Sequence, residues 1–339
     1  MSDMVKTKVK GQDQKFQTFL QDNLMLFVFL VFLICGALFV DKFVSAYNIK
    51  NYLKNCAPLL VVSTGLTYVV LNGGIDFSTT SIISLGSVVG AHLLVNSSLA
   101  KSPLAIPLTI IIVVGIGLAF GVINGLAVSR LKMPSFVATL STQLIGAGLA
   151  VWFGSVLFEG AVSLGGLPEA FRAIGGKGMF WIPILISVII FVIFNWLIRK
   201  TVFGKQIYAI GINPRTAEVS GVPVKKNIFL LFVISGGLAG VASVMYTAKN
   251  GAGVPTMGDA MFIDIVGSVV IGGTDPAGGF GGVKNTLYGV LFLTLVSNIL
   301  NLMGTEWFYV DLIKGALVIA AAVLNLIFKN LGVRGRSRA

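Results

Sequence analysis

Charged residues are scarce in this chain, and their scarcity excludes a soluble globular protein. Only 11% of the 339 residues are charged, while 55% are hydrophobic. Soluble domains carry about 25% charged residues, so this chain has too few polar side chains to cover a surface in water. Several apolar runs also reach the roughly 20 residues that cross a bilayer as a helix. The composition predicts an all-α polytopic membrane protein embedded in the lipid bilayer.

Histidine and cysteine are also scarce, which argues against metal sites and nucleophilic catalysis. The chain has one histidine, His92, and two cysteines, Cys35 and Cys56. A metal site or a Cys/His nucleophile needs several such residues at suitable spacing. The nucleotide-binding pattern GxxxxGK[ST] is absent from the sequence as well. We therefore predict a non-catalytic chain, with no catalytic residue, no metal site and no cofactor of its own.

Ten apolar segments predict about ten transmembrane helices. They lie near residues 24–40, 57–72, 79–97, 104–128, 136–158, 179–198, 228–248, 261–273, 285–303 and 309–328. With the N-terminus in the cytoplasm, most of the 25 Lys and Arg residues fall in cytoplasmic loops, as the positive-inside rule requires. Both termini are therefore predicted to be cytoplasmic. The net charge of +12 then reflects topology, and no nucleic-acid partner is expected.

This topology divides the chain into one membrane domain and two tails. The predicted parts are a cytoplasmic N-terminal tail at 1–23, a transmembrane domain at 24–328 with a cytoplasmic loop at 199–227, and a basic cytoplasmic tail at 329–339.

Two Gly-Gly-x-Asp stretches interrupt the apolar segments and predict pseudo-repeated halves. They run from Gly73 to Asp76 and from Gly272 to Asp275. Glycine pairs break helices, and broken helices at membrane depth are tolerated where protein or a water-filled cavity satisfies the backbone. Two interpretations stay open: the stretches line or gate a path, or they are structural turns. The path hypothesis comprises Asn72, Gly73, Gly74, Asp76, Phe77, Ser78, Asn124, Gly272, Gly273 and Asp275.

Ionisable residues inside the predicted spans are functional candidates, because charge is costly in a bilayer. Asp76 and Asp264 qualify on this ground. Asp311 and Lys314 stand three residues apart on one helix face and are expected to pair. An aromatic run beside them, 307–309, resembles an interfacial belt, so the pair is expected to anchor a helix end.

A polar stretch at 203–227 carries the signals of a short, stopped helix. Asn213 suits the N-cap and Pro214 the first helical position. Gly221 suits the left-handed position after a helix, and Pro223 prevents continuation. A helix of about two turns is not stable alone in water, so it must dock. It docks either on its own membrane domain or on a cytoplasmic partner, and we favour the partner.

Five ordered motifs between about Lys50 and the last span resemble the permease subunits of bacterial ABC importers for monosaccharides. They are GGIDFS at 73–78, NGLAVSRLKMPSFVATLST at 124–142, TVFGKQIYAIGINPRTAEVSGV at 201–222, VVIGGTDPAGGFGG at 269–282 and LIKGALVI at 312–319. The resemblance implies a permease in the bacterial cytoplasmic (inner) membrane, paired with a second copy as a homodimer. It also implies a cytoplasmic ABC ATPase that binds ATP and Mg, and an extracytoplasmic solute-binding protein.

The resemblance further implies that the loop matching Tyr208 to Gly221 contains the helix that couples the permease to the ATPase. The residues expected to make this contact are Gly211, Asn213, Pro214, Arg215, Ala217, Glu218, Ser220 and Gly221.

Two aromatic residues depart from the pattern of the family. Phe77 stands where leucine is common, and Phe262 stands where a glutamate often precedes the eighth span. If these positions line the path, they leave room for a cargo other than a typical pentose or hexose. The alternatives are an ABC permease for nucleosides or branched-chain amino acids, and a stand-alone secondary transporter or facilitator driven by a gradient.

Overall fold

The computed structural model describes residues 24–330, and over this range the regular structure is helical. The tail predicted at 1–23 and residues 331–339 of the second tail lie outside the described residues. The described α-helices are α1 (Leu24–Phe39), α2 (Ala46–Leu71), α3 (Ser78–Val95), α4 (Ala105–Ser129), α5 (Ser135–Leu157), α6 (Glu169–Ile174), α7 (Trp181–Lys200), α8 (Val202–Ile212), α9 (Pro214–Val219), α10 (Val224–Asn250), α11 (Phe262–Ile271), α12 (Val283–Leu302) and α13 (Trp307–Asn330).

The centre of the bundle is formed by α2, α3 and α10, and the helices around them expose apolar faces. Every residue of α2 from Cys56 to Leu71 is buried. Over the window of each helix that best fits a membrane span, 83% of α2 is buried but only 17% of α7. In water such an apolar exposed face would be unstable, whereas a bilayer solvates it. The burial pattern therefore separates a protein core from a lipid-facing surface.

Helices α4 and α10 approach each other at backbone distance because both carry glycines on the shared face. The Cα of Gly117 faces the carbonyl of Gly236, and a side chain at Gly121 would meet the carbonyl of Phe232. The contacts continue at Gly125 against Phe229, so the two helices run antiparallel. Without a hydrophobic force between helices in lipid, close packing of this kind holds them together.

Among residues 24–330, seven helices are long and apolar enough to cross a membrane: α2, α3, α4, α5, α7, α10 and α12. All ten predicted segments are helical, although the second helix begins at Ala46, earlier than the apolar segment that predicts it. The count of ten spans and the orientation of the termini stay predictions. The chain is a multi-pass membrane protein.

Helix α11 is a half-helix. Its 10 residues rise about 15 Å, half of a hydrocarbon core of roughly 30 Å. The segment before it continues along α3, where Val254 N donates to Ser87 Oγ at 3.1 Å and Gly258 N donates to Ser84 Oγ at 2.9 Å. These bonds satisfy non-helical backbone inside the protein. They also bring the start of α11 beside the start of α3.

The polar stretch between α7 and α10 contains two helices, whereas its capping signals predict one. The additional helix, α8, begins after Thr201, whose hydroxyl accepts from Gly204 N at 3.2 Å. Ile207 and Ile210 on α8 are fully buried. The apolar spacing of these two isoleucines and Phe203 is the helical signal that could have revealed α8.

Candidate functional site

The short helix predicted at the polar stretch is confirmed as α9. Asn213 Oδ1 accepts from Thr216 N at 3.0 Å, and Pro214 occupies the first turn. Gly221 has a φ of 82°, and Val222 N bonds to Ala217 O at 3.0 Å. Both ends of α9 are therefore capped as the sequence predicts, by the Asn213 side chain at the start and by Gly221 after the end.

Most of the surface of α9 is open. Ala217 is buried and packs the helix onto the molecule, while Arg215 and Glu218 are exposed. Val219 is 86% exposed and Ile212 is 69% exposed. An exposed surface that mixes charged with apolar side chains is thus present at this end of the bundle. The remaining predicted contact residues on this surface are exposed too: Asn213, Pro214, Ser220 and Gly221.

The last turn of α8 meets the end of α2 through backbone alone. A side chain at Gly211 would collide with Leu71 O, and its Cβ would lie 2.6 Å from Gly279 N. Gly279 N in turn donates to Leu71 O at 2.8 Å. A Cβ at Gly73 would lie 3.1 Å from Ala277 O. We call Leu71, Gly73, Gly211, Gly278 and Gly279 the glycine junction.

The two Gly-Gly-x-Asp stretches end their helices in the same way. Gly73 N bonds to Val70 O at 2.8 Å, and Gly273 N bonds to Val270 O at 2.9 Å. Gly73 and Gly273 have φ values of 75° and 99°, in the region that favours glycine. Both stretches therefore begin as helix caps, and the glycine junction brings them together at the end of the bundle that carries α9.

Tyr208 is a site residue that the motif pattern did not single out. Its hydroxyl donates to Gly281 O at 2.7 Å, which ties α8 to the glycine-rich loop after α11. That loop holds Gly278, Gly279, Gly281 and Gly282 in conformations with positive φ. In the sequence, Tyr208 is a tyrosine in a polar loop, and Gly281 belongs to a distant glycine-rich run. Neither feature indicates that the two residues bond to each other.

Asp76 lies in a buried hydrogen-bond network at the start of α3. Its Oδ1 accepts from Ser78 N at 3.0 Å and from Ser78 Oγ at 2.6 Å, and its Oδ2 accepts from Ser235 Oγ at 2.7 Å. Asn124 Nδ2 donates to Ser78 Oγ at 2.9 Å, and Thr142 Oγ1 donates to Asn124 Oδ1 at 2.8 Å. The network links α3 to α4, α5 and α10.

The remaining members of the predicted path set occupy turns. Asn72 caps α2, Gly74 packs against Ser135, and Gly272 packs against Asn285. Asp275 Oδ1 accepts from Ala277 N at 2.9 Å within its own turn. In this conformation Asp76, Ser78 and Asn124 are fully buried, while Gly73 is exposed and Phe77 is partly exposed.

The two aromatic departures from the family pattern contact each other. Phe77 and Phe262 stack with ring centroids 4.5 Å apart and an interplanar angle of 13°. Both are partly exposed. Their pairing follows from the half-helix, because the segment before α11 runs along α3 and ends opposite Phe77.

The ion pair predicted between Asp311 and Lys314 is present, and the structure adds a closer partner for the lysine. Lys314 Nζ lies 3.0 Å from Asp264 Oδ1 and 4.0 Å from Asp311 Oδ1. The lysine side chain is only 10% exposed. Its main partner is therefore on α11, where helix spacing along the sequence could not place it. The pair ties the half-helix α11 to α13.

Among residues 24–330, no group of three or more His, Cys, Asp or Glu side chains could hold a metal ion. Cys35 is exposed and Cys56 is buried, and both are free. What the described residues provide is a bundle with exposed apolar faces, a half-helix buried within the bundle, and an exposed capped helix joined to both Gly-Gly-x-Asp stretches. These features define a membrane transport protein.

Comparison with known proteins gives the family. The family model described as "Branched-chain amino acid transport system / permease component" matches residues 48–322, and the chain belongs to this family. It is similar to the ribose import permease protein of Bacillus subtilis, at 33% identity over 84% of this chain and 86% of that protein. It is also similar to the galactose/methyl galactoside import permease protein of Escherichia coli, at 30% identity over 92% of this chain and 96% of that protein.

A third relative is the fructose import permease protein of Bifidobacterium longum, at 28% identity over 88% of both chains. The chain is thus the non-catalytic permease component of an ABC importer. Membership implies two partners, an ATPase and a substrate-binding protein.

Proposed function

We propose that this permease imports a sugar across the bacterial cytoplasmic membrane, as a homodimer driven by a cytoplasmic ATPase and supplied by an extracytoplasmic binding protein. Relatives named as ribose, galactose and fructose import permeases support a sugar as cargo. The observation that carries the mechanism is the backbone contact of Gly211 with Leu71 and Gly279.

The proposed coupling runs from α9 through α8 to the broken helices. The ATPase docks on the exposed face of α9, around Arg215 and Glu218. Because Gly211 abuts Leu71 O without an intervening side chain, α8 moves together with the end of α2. Tyr208 carries the same motion into the loop after α11 through its bond to Gly281. A rigid connection of this kind couples ATP-driven closure to a second conformational state.

The proposed gate lies between the start of α3 and the start of α11. Phe77 precedes α3 and Phe262 begins α11, and their stacked rings join these two starts. The buried Asp76 network holds α3 in position, and the Lys314–Asp264 pair holds α11. We propose that Phe77 and Phe262 separate during transport and contact the cargo. Once the two rings separate, each presents a flat apolar face that can pack against the apolar face of a sugar ring.

Transport by the reconstituted assembly tests the proposal. The permease is placed in proteoliposomes with its ATPase and binding protein, with ATP inside, and uptake of radiolabelled ribose, galactose and fructose is measured. We expect ATP-dependent uptake of at least one of these sugars. Leucine is tested as an alternative cargo because the family description names branched-chain amino acids. A nucleoside is tested because the sequence leaves a nucleoside permease open.

Two outcomes would contradict the proposal. Uptake of leucine or of a nucleoside with no sugar uptake would overturn the cargo. Transport by the permease alone under a proton or sodium gradient, without the ATPase, would instead support a secondary transporter. Cross-linking of two permease copies in the native membrane tests the homodimer separately.

A further inference from the structure

A groove opens between the end of α4 and the start of α10, on the side of the bundle that carries α9. Its volume is about 590 Å³. It is lined by Leu126, Ser129, Arg130, Lys225, Lys226 and Phe229. The proposed coupling and gate assign it no role.

The polar wall of the groove carries one sign of charge. Its charged lining consists of Arg130, Lys225 and Lys226, without an acidic residue. None of these three takes part in an ion pair within the described range 24–330. The two lysines also lie in the first turn of α10, which contains no acidic residue and whose preceding Pro223 provides no side-chain cap. Positive charge is unfavourable at a helix N-terminus, whereas an anion is favourable there. An anion in this groove would therefore interact favourably both with the start of α10 and with the three cations.

The other wall is apolar and continues along the lipid-facing surface. Leu126, Val122 and Leu118 follow one another at intervals of four residues on α4 and are 39%, 37% and 40% exposed. On α10, Phe229 and Val233 are half-buried beside them. We call these five side chains the apolar seam. It leads from the cationic groove towards the middle of the bundle, as an acyl chain would run from its headgroup.

We infer that this groove binds an anionic phospholipid, with the phosphate among Arg130, Lys225 and Lys226 and one acyl chain along the apolar seam. Helix ends at a membrane surface lie at the level of the headgroups, where each Lys or Arg near the surface favours anionic lipid. A soluble anion would leave the seam unused, and an ATPase would not reach the part of the seam inside the bilayer. The bound lipid would hold the first turn of α10, which directly follows the coupling helix.

The test compares lipid retention by matched variants. The groove variant is R130Q/K225Q/K226Q. The control is R199Q/K200Q/K284Q, which also removes one arginine and two lysines, all exposed and outside the groove. Each purified permease is exchanged into nanodiscs of equal phosphatidylglycerol and phosphatidylcholine. Native mass spectrometry then counts the lipids that stay bound after the disc is removed.

We expect the wild type and the control to retain phosphatidylglycerol over phosphatidylcholine by roughly tenfold, and the groove variant to lose this preference. Equal loss in the control would overturn the inference, since charge in general would then be responsible. Displacement of the lipid by glycerol 3-phosphate would show a site for a free phosphate instead. Unchanged lipid retention with loss of ATPase co-purification would assign the groove to the ATPase.

A second variant keeps all three cations and tests the acyl chain. V122W places a bulky side chain in the seam at a position of α4 that is 37% exposed. We expect it to lower phosphatidylglycerol retention although Arg130, Lys225 and Lys226 all stay in place. Retention equal to that of wild type would show that the seam holds no acyl chain and would overturn the proposed pose.

Discussion

Phe77 stacks on Phe262 across the starts of α3 and α11, with ring centroids 4.5 Å apart. The two residues are far apart in the sequence, yet Phe77 immediately precedes α3 and Phe262 is the first residue of α11. Aromatic pairs of this kind contribute about 0.5–1.5 kcal/mol beyond their buried area. The stacked rings therefore connect the start of α3 to the start of α11.

The first prediction concerns this pair. F77L and F262A should each change the rate of sugar uptake in the reconstituted assembly by several-fold, and the double variant should change it no more than the stronger single variant. Residues in direct contact are non-additive, so a double-mutant cycle of uptake rates measures the coupling. Strictly additive effects would show that the two rings act independently. F136A, at an exposed ring on α5, is the control.

The second prediction concerns the glycine junction. G211A should lower sugar-stimulated ATP hydrolysis by tenfold or more, because the added Cβ collides with Leu71 O and forces α8 away from α2. The control is G115A on α4, where a Cβ meets nothing within 4 Å. Both variants are compared with wild type by ATPase assay and by thermal unfolding in detergent. Normal coupling in G211A would mean that the close contact is dispensable.

The third prediction concerns the pair Lys314–Asp264. K314M leaves Asp264 without its cation and should lower the free energy of unfolding by about 1–3 kcal/mol, below the 3–5 kcal/mol of a fully buried pair because Asp264 is 28% exposed. The double variant K314M/D264L should recover part of the loss. D311N should have little effect, since Asp311 lies 4.0 Å from Nζ and is half-exposed. Thermal unfolding of the purified variants measures this order, and a D311N defect equal to that of K314M would contradict it.

The fourth prediction separates the surface of α9 from its fold. R215A and E218A change exposed side chains and should weaken co-purification with the ATPase while leaving the unfolding temperature of the permease unchanged. N213A removes the cap at Thr216 N and should lower local helix stability by about 1 kcal/mol. Full ATPase binding by the double variant R215A/E218A would exclude α9 as the docking surface.

Local signals were sufficient for the elements whose structure depends on neighbours in sequence. Hydropathy located all ten helical segments, and Asn213, Pro214 and Gly221 located α9, because capping and apolar periodicity act over a few residues. The same signals do not predict helix α8, because its two buried isoleucines lie in a stretch that is polar on average. The boundaries of α2 were also misjudged, since its first turns carry polar residues that pair with other helices, as Asn48 does with Asn298.

The sequence by itself determined that this chain is a multi-pass membrane protein with a short capped helix, because charge content, span length and helix caps are local properties. Its ordered motifs added the resemblance to permease subunits. Only the tertiary structure decided which distant groups meet. It placed Lys314 closer to Asp264 than to Asp311, the neighbour that helix spacing indicates, joined Gly211 to Leu71, and stacked Phe77 on Phe262. These contacts depend on the path of the half-helix and its preceding segment, which hydropathy does not encode, since that path is fixed by hydrogen bonds to serines of α3.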